Sequence, residues 1–488
     1  MGRIMRIGIW CAYHVTLEPS EGIGVFAHNL ALGLSSMQEK VEVVMVARNG
    51  QEDVMSPTVS KGNGRIRVFS IESFSKYIAS EANGKEEVQS LKLQLDTIRH
   101  AHQRASRRSL DRYESKITRV IERFSGRSRL GNRVSGSLAY FAFGANKVYR
   151  EFLRVKSRRI ERKLGRENSE VVNAPSHQLL EHCDVWLVPY VCLDMKFSKP
   201  TVVTIHDLVT YHFPETVSPE ALISIKQLVA KVSEQSTIAA CLTDFIRRND
   251  LIGQLGLPES KIRVVSPAPP IDFQTPPRFE DAAAEYPILH SKYILYPSAF
   301  RAYKNHQALI HAIRILKDRG DRETQIVFTG IQSMPENLRK LVSENRVEDR
   351  VHTLGKCPRD VLSLLYQRAV GTVVPSLYEQ GSFPLMEALH WQCPIASSRI
   401  PSLVEQFSPL GQSMLHFSPH DYEELADTIE TLRDSRERVL QSQQYMKSRI
   451  FDRTWKDAAE DWVRVFREAI VMYEKSKDIT PTTSCKAA

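Results

Sequence analysis

The chain has 488 residues, too many for one compact core, so two or three domains are expected. Its 42% hydrophobic and 25% charged residues are those of an ordinary globular protein, and no apolar run reaches the ~20 residues a membrane helix needs, which argues against a helical membrane protein. The formal charge is +9, but residues 85–166 carry 22 Lys and Arg against 8 Asp and Glu, a net +14 that leaves −5 for everything else, so the basicity describes one segment and not the core fold.

The basic, apolar opening MGRIMRIGIWCAYHV imitates a signal peptide but has no small-residue cleavage site, and it predicts a buried strand over Arg6 to Trp10. A helical pattern from about Gly24 to Leu32 follows, then strands at Val41 to Val46 and Ile66 to Ile71. Leu91, Leu93, Leu95, Ile98, Leu110, Ile117, Val120, Ile121 and Phe124 recur at roughly helical spacing and predict two to four helices within 85–166. Strands resume at Val185 to Pro189 and Thr201 to Ile205, followed by a helix over Pro219 to Val232 and a strand over Thr237 to Leu242. The prolines of Ser266 to Pro270 and Pro276-Pro277 predict a linker, because repeated proline continues neither helix nor strand.

A second alternating set lies beyond the linker. Strands are predicted at Tyr293 to Tyr296, Gln325 to Phe328, Val351 to Leu354, Gly371 to Val374 and Pro394 to Ser397. Helices fit at His306 to Lys317, Pro335 to Glu344, Asp360 to Gln367, Pro384 to Trp391, Tyr422 to Arg433 and Trp455 to Tyr473. Such alternation predicts an α/β protein of two Rossmann-like, doubly wound domains facing a cleft. Their expected bounds are 1–270, carrying a basic helical insertion at 85–166, and 288–454, joined by a linker at 271–287. A C-terminal helix at 455–475 is expected to cross back to the first domain, with a disordered tail at 476–488. Seven scattered cysteines without a CxxC pair suit reduced thiols in the cytoplasm.

The stretch Val373 to Leu389 (VVPSLYEQGSFPLMEAL) is the richest in chemistry. A buried strand ends at Ser376, Glu379 and Gly381 lie in a loop, and Pro384 suits the first turn of a helix. Ligands of open α/β sheets gather at the carboxyl ends of strands, and a helix N-terminus there offers N–H groups and a positive dipole end to a diphosphate. Gly381 allows close backbone approach, while Glu379 and Glu387 can accept hydrogen bonds from sugar hydroxyls; both could equally be solvated. Arg301 and Lys304 place cations after the strand that begins at Tyr293. In the first domain, Val203 to Leu208 (VTIHDL) puts His206 at a strand end, where it either touches a substrate or caps the strand through Asp207. Gly22 and Gly24 fit G-x-G-x-x-A, but they lie about eleven residues past the strand, and Arg48 follows the second strand where a dinucleotide site needs an acid. No Asp-x-Asp, P-loop or Cys/His zinc cluster occurs, so no metal is expected.

The E-x7-E spacing of Glu379 and Glu387, set in SLYEQGSFPLMEAL, resembles the signature of retaining GT-B glycosyltransferases of family four (glycosyltransferase group 1). The likeness covers nearly the whole chain except the basic insertion and tail. It implies a metal-independent hexosyltransferase with a nucleoside diphosphate sugar as donor and no cofactor. By the same resemblance, Glu379 holds hydroxyls of the transferred sugar and Glu387 the ribose. Gly381, Ser382, Phe383, Pro384 and Leu385 bind the donor, and Gly22 and Gly24 approach its phosphates from a glycine-rich loop. Arg301 and Lys304 neutralise the diphosphate as the glycosidic bond breaks; the commoner pattern has its Arg five residues before the Lys, where this chain has Ala299. FRAYKNH (Phe300 to His306) is similar to bacterial mannosyl- and related polysaccharide transferases, implying GDP-mannose ahead of a UDP-sugar and a glycan or lipid-linked acceptor.

Two other function classes remain open: an inverting transferase or epimerase on the same fold with His206 as base, and a non-catalytic binder of glycans or polyanions. Segment 85–166 is either a helical lid with a solvated basic face or a dock for an anionic membrane surface or polyanionic acceptor, which would put the protein on the inner face of the membrane. Nucleic acid is not expected, because no recognised motif accompanies the charge.

Overall fold

From Ile7 to Cys11 every residue of the first strand, β1 (Met5–Cys11), is buried, the pattern of a strand covered on both faces at the centre of a parallel sheet. The structure, a computed structural model, describes residues 4–11, 22–47, 56–70, 73–74, 180–191, 196–270, 273, 275–330, 333–408 and 413–479. The expected insertion at 85–166 lies outside these residues. The chain divides into two compact units, Met1–Ser70 with Cys183–Ala488, and Ile71–His182. Both sheets belong to the first unit.

After β1 come α1 (Gly22–Ser36), β2 (Val41–Ala47), α2 (Ser56–Lys61), β3 (Ile66–Ser70), β4 (Val185–Val188), β5 (Thr201–Thr204), α3 (Pro219–Gln235), β6 (Ile238–Cys241), a π-helical run Ile246–Gln254 and β7 (Ile262–Val264). These strands form a parallel sheet in the order β3-β2-β1-β4-β5-β6-β7. The second domain runs α4 (Phe279–Glu285), β8 (Tyr293–Pro297), α5 (His306–Asp318), β9 (Gln325–Thr329), α6 (Glu336–Glu344), β10 (Val351–Thr353), α7 (Arg359–Arg368), β11 (Gly371–Val374), α8 (Phe383–His390), β12 (Ile395–Ser398), α9 (Pro401–Phe407), β13 (Leu415–Phe417), α10 (Tyr422–Asp434) and α11 (Arg436–Asp452), and α12 (Trp455–Ile479) is the last described element. Its sheet is also parallel, in the order β10-β9-β8-β11-β12-β13. Strand order reverses between β1 and β4 and again between β8 and β11. At each reversal the following loops diverge to opposite faces and leave a crevice.

The second sheet has its own core, from Ala282 to Ile450. The first domain's core is completed by α12, whose Trp455, Ala459, Trp462 and Phe466 pack with Phe26 and Leu30 of α1. Two glycines make close approaches possible. Gly8 pairs in register with Trp186, and a Cβ there would sit 2.2 Å from the indole. Gly33 lets α1 approach α12, where a Cβ would lie 2.2 Å from the Trp455 carbonyl oxygen.

Several expectations need correction. The stretch 271–287 contains α4, because Ala282 and Ala283 pack into the second core once the prolines at 276–277 have passed. The three-residue strands β7 and β13 are too short to display a period of two. Helix α11 escaped notice because one of its four buried positions, Val439, Gln443, Met446 and Ile450, is a glutamine. Gln443 is satisfied there by exchanging hydrogen bonds with both backbone groups of Ile395. Helix α12 runs to Ile479, beyond the expected end at Lys475. Among the described residues no helix is long and apolar enough to cross a membrane.

Gly33→Ala should force α12 away from α1 and destabilise the protein by about 1–3 kcal/mol, the usual cost of overpacking. A thermal melt checks this, and an unchanged midpoint would mean that the two helices do not meet at this distance.

Candidate functional site

The crevice of the second sheet is built from the loop that leaves β8 and the loop that leaves β11. Asn305 closes the first loop in the left-handed region (φ 55°), a conformation Asn tolerates better than most residues. Its amide donates to the carbonyls of Pro375 (3.0 Å) and Pro419 (2.9 Å), and Leu377 N–H donates to the Tyr303 carbonyl (2.8 Å), so the loops are tied together. Tyr296, buried at the end of β8, donates to the Lys304 carbonyl (3.0 Å) and lies 3.1 Å from Ser376 Oγ.

This scaffold brings Lys304 Nζ to 2.5 Å from Glu379 Oε1, and Ser376 Oγ donates to the same carboxylate oxygen at 2.8 Å. Burial opposes the charge on Lys304, but the adjacent Glu379 outweighs it and raises the lysine pKa, so the ammonium persists. Arg301 is exposed in the same loop. Ser382 caps α8, accepting from Leu385 N–H at 3.4 Å, while its own N–H donates to Gln406 Oε1 at 2.9 Å. Phe383 and Pro384 form the first helical turn, and a Cβ on Gly381 would come within 3.3 Å of Gln406 Oε1. The two glutamates of the E-x7-E spacing therefore sit differently. Glu387 points into a groove between α7 and α8 with Phe273, Leu362, Ser363 and Trp391. Arg359 Nη2 reaches its Oε1 at 3.3 Å and Tyr366 Oη donates to its Oε2 at 3.0 Å. Burial pushes the Glu387 carboxyl above the usual range, and Arg359 and Tyr366 work against that shift.

Across the cleft, Gly22 and Gly24 are not in a loop but in the first turn of α1, since the apolar helical spacing of Phe26, Ala27, Leu30 and Ala31 extends back over them. The N–H groups of that turn have no intrahelical partner. His206 lies two residues past β5. Its Nε2 bonds the Pro189 carbonyl at 3.1 Å, and the Phe26 ring packs edge-on at 5.1 Å. Asp207 does not hold it; Asp207 accepts instead from Val209 N–H at 3.1 Å. Burial lowers the His206 pKa to about 4, so the imidazole is neutral at neutral pH.

Other residues at the site carried no signal of their own in the sequence. Tyr378, beside Glu379, reaches into the first domain: its hydroxyl accepts from Leu208 N–H (3.0 Å) and donates to the fully buried Asp250, which also meets His212 Nε2 at 2.9 Å. Glu405 of α9 accepts from the N–H groups of Asp244 (2.5 Å) and Phe245 (2.7 Å) at the start of the helical segment after β6. Arg359 and Tyr366 become visible only once the fold puts α7 beside α8. Among the described residues no group of three or more His, Cys, Asp or Glu side chains is arranged to hold a metal ion.

Residues 279–449 match the family model of glycosyl transferases group 1. The MMP alpha-(1->4)-mannosyltransferase of Mycolicibacterium hassiacum is 30% identical over 190 residues, 38% of this chain and 44% of the relative. The chain spans about half the length of the curated relatives it matches. Sucrose-phosphate synthase from Thermosynechococcus elongatus superposes with a TM-score of 0.57 at 15% identity, covering 96% of this chain and 99% of that one. Anabaena HepE in complex with UDP-glucose superposes with a TM-score of 0.52 at 11% identity, covering 97% and 100%. These likenesses show the fold, the GT-B pair of Rossmann-like domains.

His306, the first residue of α5, yields a pH prediction. It is 2% exposed, its Nδ1 lacks a partner among the described residues, and burial lowers its pKa to about 3. A folded pKa below the unfolded ~6.5 means that the folded state binds fewer protons. Stability is therefore full above pH ~6.5 and falls as the pH drops toward the folded value, by at most about 1.4 kcal/mol per pH unit for this residue. His306→Leu should flatten the pH dependence of the unfolding free energy between pH 6.5 and 4, measured by denaturant titration; a slope equal to the wild type's would assign that dependence elsewhere.

Proposed function

We propose that this chain, whose residues 279–449 match the family model of glycosyl transferases group 1, moves a hexose from a nucleoside diphosphate sugar to an acceptor hydroxyl with retention of configuration. The observation that carries the proposal is the Lys304–Glu379 pair at the β8/β11 reversal, beside the N-terminus of α8. A cation and the positive dipole end of a helix suit a diphosphate, and an adjacent carboxylate suits sugar hydroxyls. Glu387, held by Arg359 and Tyr366, would take the ribose. When the donor phosphate takes over the Lys304 ammonium, Glu379 is released toward the sugar. Lys304, exposed Arg301 and the α8 terminus then stabilise the leaving diphosphate without a metal. In same-face substitution, the departing phosphate oxygen accepts the acceptor's proton.

The depressed basicity of His206 supports a positioning role over general base catalysis, which works best with a pKa near the operating pH. The mannosyltransferase relative supports mannose as the sugar, and the fold neighbour solved with UDP-glucose supports the nucleoside diphosphate class in general. For the acceptor side, the net +14 of 85–166 supports docking on an anionic lipid surface or polyanionic glycan.

Thermal shift against GDP, UDP and their hexose conjugates tests the donor reading, since a ligand of the folded state raises its stability; no shift with any of them would sink it. NMR of the product should then show the donor's anomeric configuration, with turnover surviving in His206→Ala. An inverted product with activity abolished in that variant would make His206 the base. Lys304→Ala should lower kcat roughly 10²–10³-fold, and wild-type activity should persist in EDTA. Activity lost to chelation and restored by Mg²⁺ would overturn the metal-free chemistry. Binding to anionic liposomes should weaken as salt rises, and a protein that ignores such liposomes would not dock through 85–166.

A further inference from the structure

The helical turn Val209–His212, which follows β5, stands against the β8 and β11 loops of the second domain. Asp207 accepts from Val209 N–H at one end of this turn, and Phe213 closes the other. Two contacts with Tyr378 fix the turn relative to Glu379. Leu208 N–H donates to the tyrosine hydroxyl at 3.0 Å, and the His212 ring lies 4.7 Å from the tyrosine ring. The bond from Val209 occupies Asp207 Oδ1 alone. Oδ2 accepts from no described residue, and the side chain is only half-buried, so it keeps surface that a ligand can reach. This carboxyl is near enough to Lys304 and Glu379 for both to act on its charge. Burial holds it above the usual carboxylate range, Val209 N–H and Lys304 oppose that shift, and Glu379 and Asp250 add to it. Beside it, the half-buried rings of Phe213 and Tyr303 meet from the two domains with centroids 5.9 Å apart at 43°. Tyr303 immediately precedes Lys304, and its phenol feels the charges of both Asp207 and Glu379.

A carboxylate oxygen without a partner, next to accessible aromatic rings, has the chemistry to hold a sugar ring. Aromatic surface covers the apolar C–H face of the sugar, and the carboxylate accepts from its hydroxyls. A phosphate in the same place would be repelled by the like charge. We propose that Asp207, Phe213 and Tyr303 form the acceptor subsite, which takes an uncharged pyranose whose ring packs on Phe213 and Tyr303 while a hydroxyl beside the attacking one donates to Asp207 Oδ2. The inference rests on the donor reading above and names the acceptor class for that site. The attacking hydroxyl is thereby turned toward the transferred sugar at Glu379, and its proton is left for the departing phosphate.

The test uses the full chain, with the nucleoside diphosphate hexose that raises its melting temperature most as donor. Methyl α-pyranosides of mannose, glucose and galactose serve as acceptors, against glycerol and sn-glycerol 3-phosphate. The wild type should transfer to at least one pyranoside with a kcat/KM above that for either glycerol compound; the reverse order, or transfer to no pyranoside, would overturn the proposal. Asp207→Asn keeps an oxygen to accept from Val209 N–H, so it should melt with the wild type. Its kcat/KM for the pyranoside should nevertheless fall about tenfold, the effect of one lost hydrogen bond to a charged group. Its affinity for GDP or UDP should equal or exceed the wild type's, because a negative charge near Lys304 has gone. Phe213→Leu and Tyr303→Leu should raise the pyranoside KM roughly threefold to tenfold, with kcat kept within about twofold. Unchanged acceptor kinetics in all three variants would sink the subsite. So would a joint loss of melting temperature and diphosphate affinity in Asp207→Asn, which marks a structural role. A wild type that binds neither GDP nor UDP brings down the donor reading itself, whereas one that binds a diphosphate but ignores pyranosides brings down this inference alone.

Discussion

Lys304 and Glu379 meet largely out of water at the point where the second sheet changes direction. Neither charge would be stable there alone, because removing one partner of a buried pair leaves the other desolvated and unpaired. The loops that present them are consequently over-determined. Asn305 ties one to the other, Tyr296 braces the Lys304 carbonyl from beneath, and Ser376 supplies the second hydrogen bond to the carboxylate. The reversal of strand order opens the crevice, and this pair occupies it with charge that can be handed over to a ligand. Under the proposed function, this ion pair would be a pre-assembled half of a binding site, in which each partner already holds the other near its working position.

The same short loop also makes the contact between domains. Tyr378 and Glu379 are consecutive, yet one is satisfied by the first domain and the other by the second. A single segment is thereby anchored on both domains. Glu405 adds a second crossing bond nearby, where a carboxylate meets the first N–H groups of a helical segment. Any change in the separation of the domains must therefore act on the residue that precedes Glu379, and the carboxylate that would hold sugar senses domain position through one peptide unit.

Much of this was legible in the residues themselves. The alternation of buried strands and amphipathic helices gave away both sheets, since parallel strands covered on both faces are near-continuous apolar runs. Motifs after the strand ends singled out Lys304, Glu379 and His206 as polar residues that interrupt such runs, and Glu387 as a carboxylate one turn into the helix that follows. What stayed hidden was relational. Tyr366 and Arg359 look like ordinary helix residues until α7 lies beside Glu387, and Asp250 looks like a surface acid until Tyr378 covers it. Gln443 disguised a whole helix, because a buried amide satisfied by the start of an earlier strand, with three elements lying between, cannot be told from a solvated one. Gly22 and Gly24 misled in the opposite direction, since a glycine pair suggests a loop even where the apolar pattern beyond it carries the helix back across them.

The position of α12 has a consequence for how the chain comes into being. The second domain's core draws on residues from Ala282 to Ile450 alone, whereas the first domain's core is capped by Trp455 to Ala469. During synthesis from the N-terminus, the half that emerges first thus lacks its covering layer until α12, which follows the whole of the second core, has left the ribosome. The half that emerges second has everything it needs earlier. Over that interval Phe26, Leu30 and the Gly33 notch of α1 present an uncovered apolar stripe, the kind of surface that chaperones bind and that aggregates when left unattended. Order of translation and order of completion are reversed in this molecule, since the residues that complete the second core precede those of α12 that cover the first.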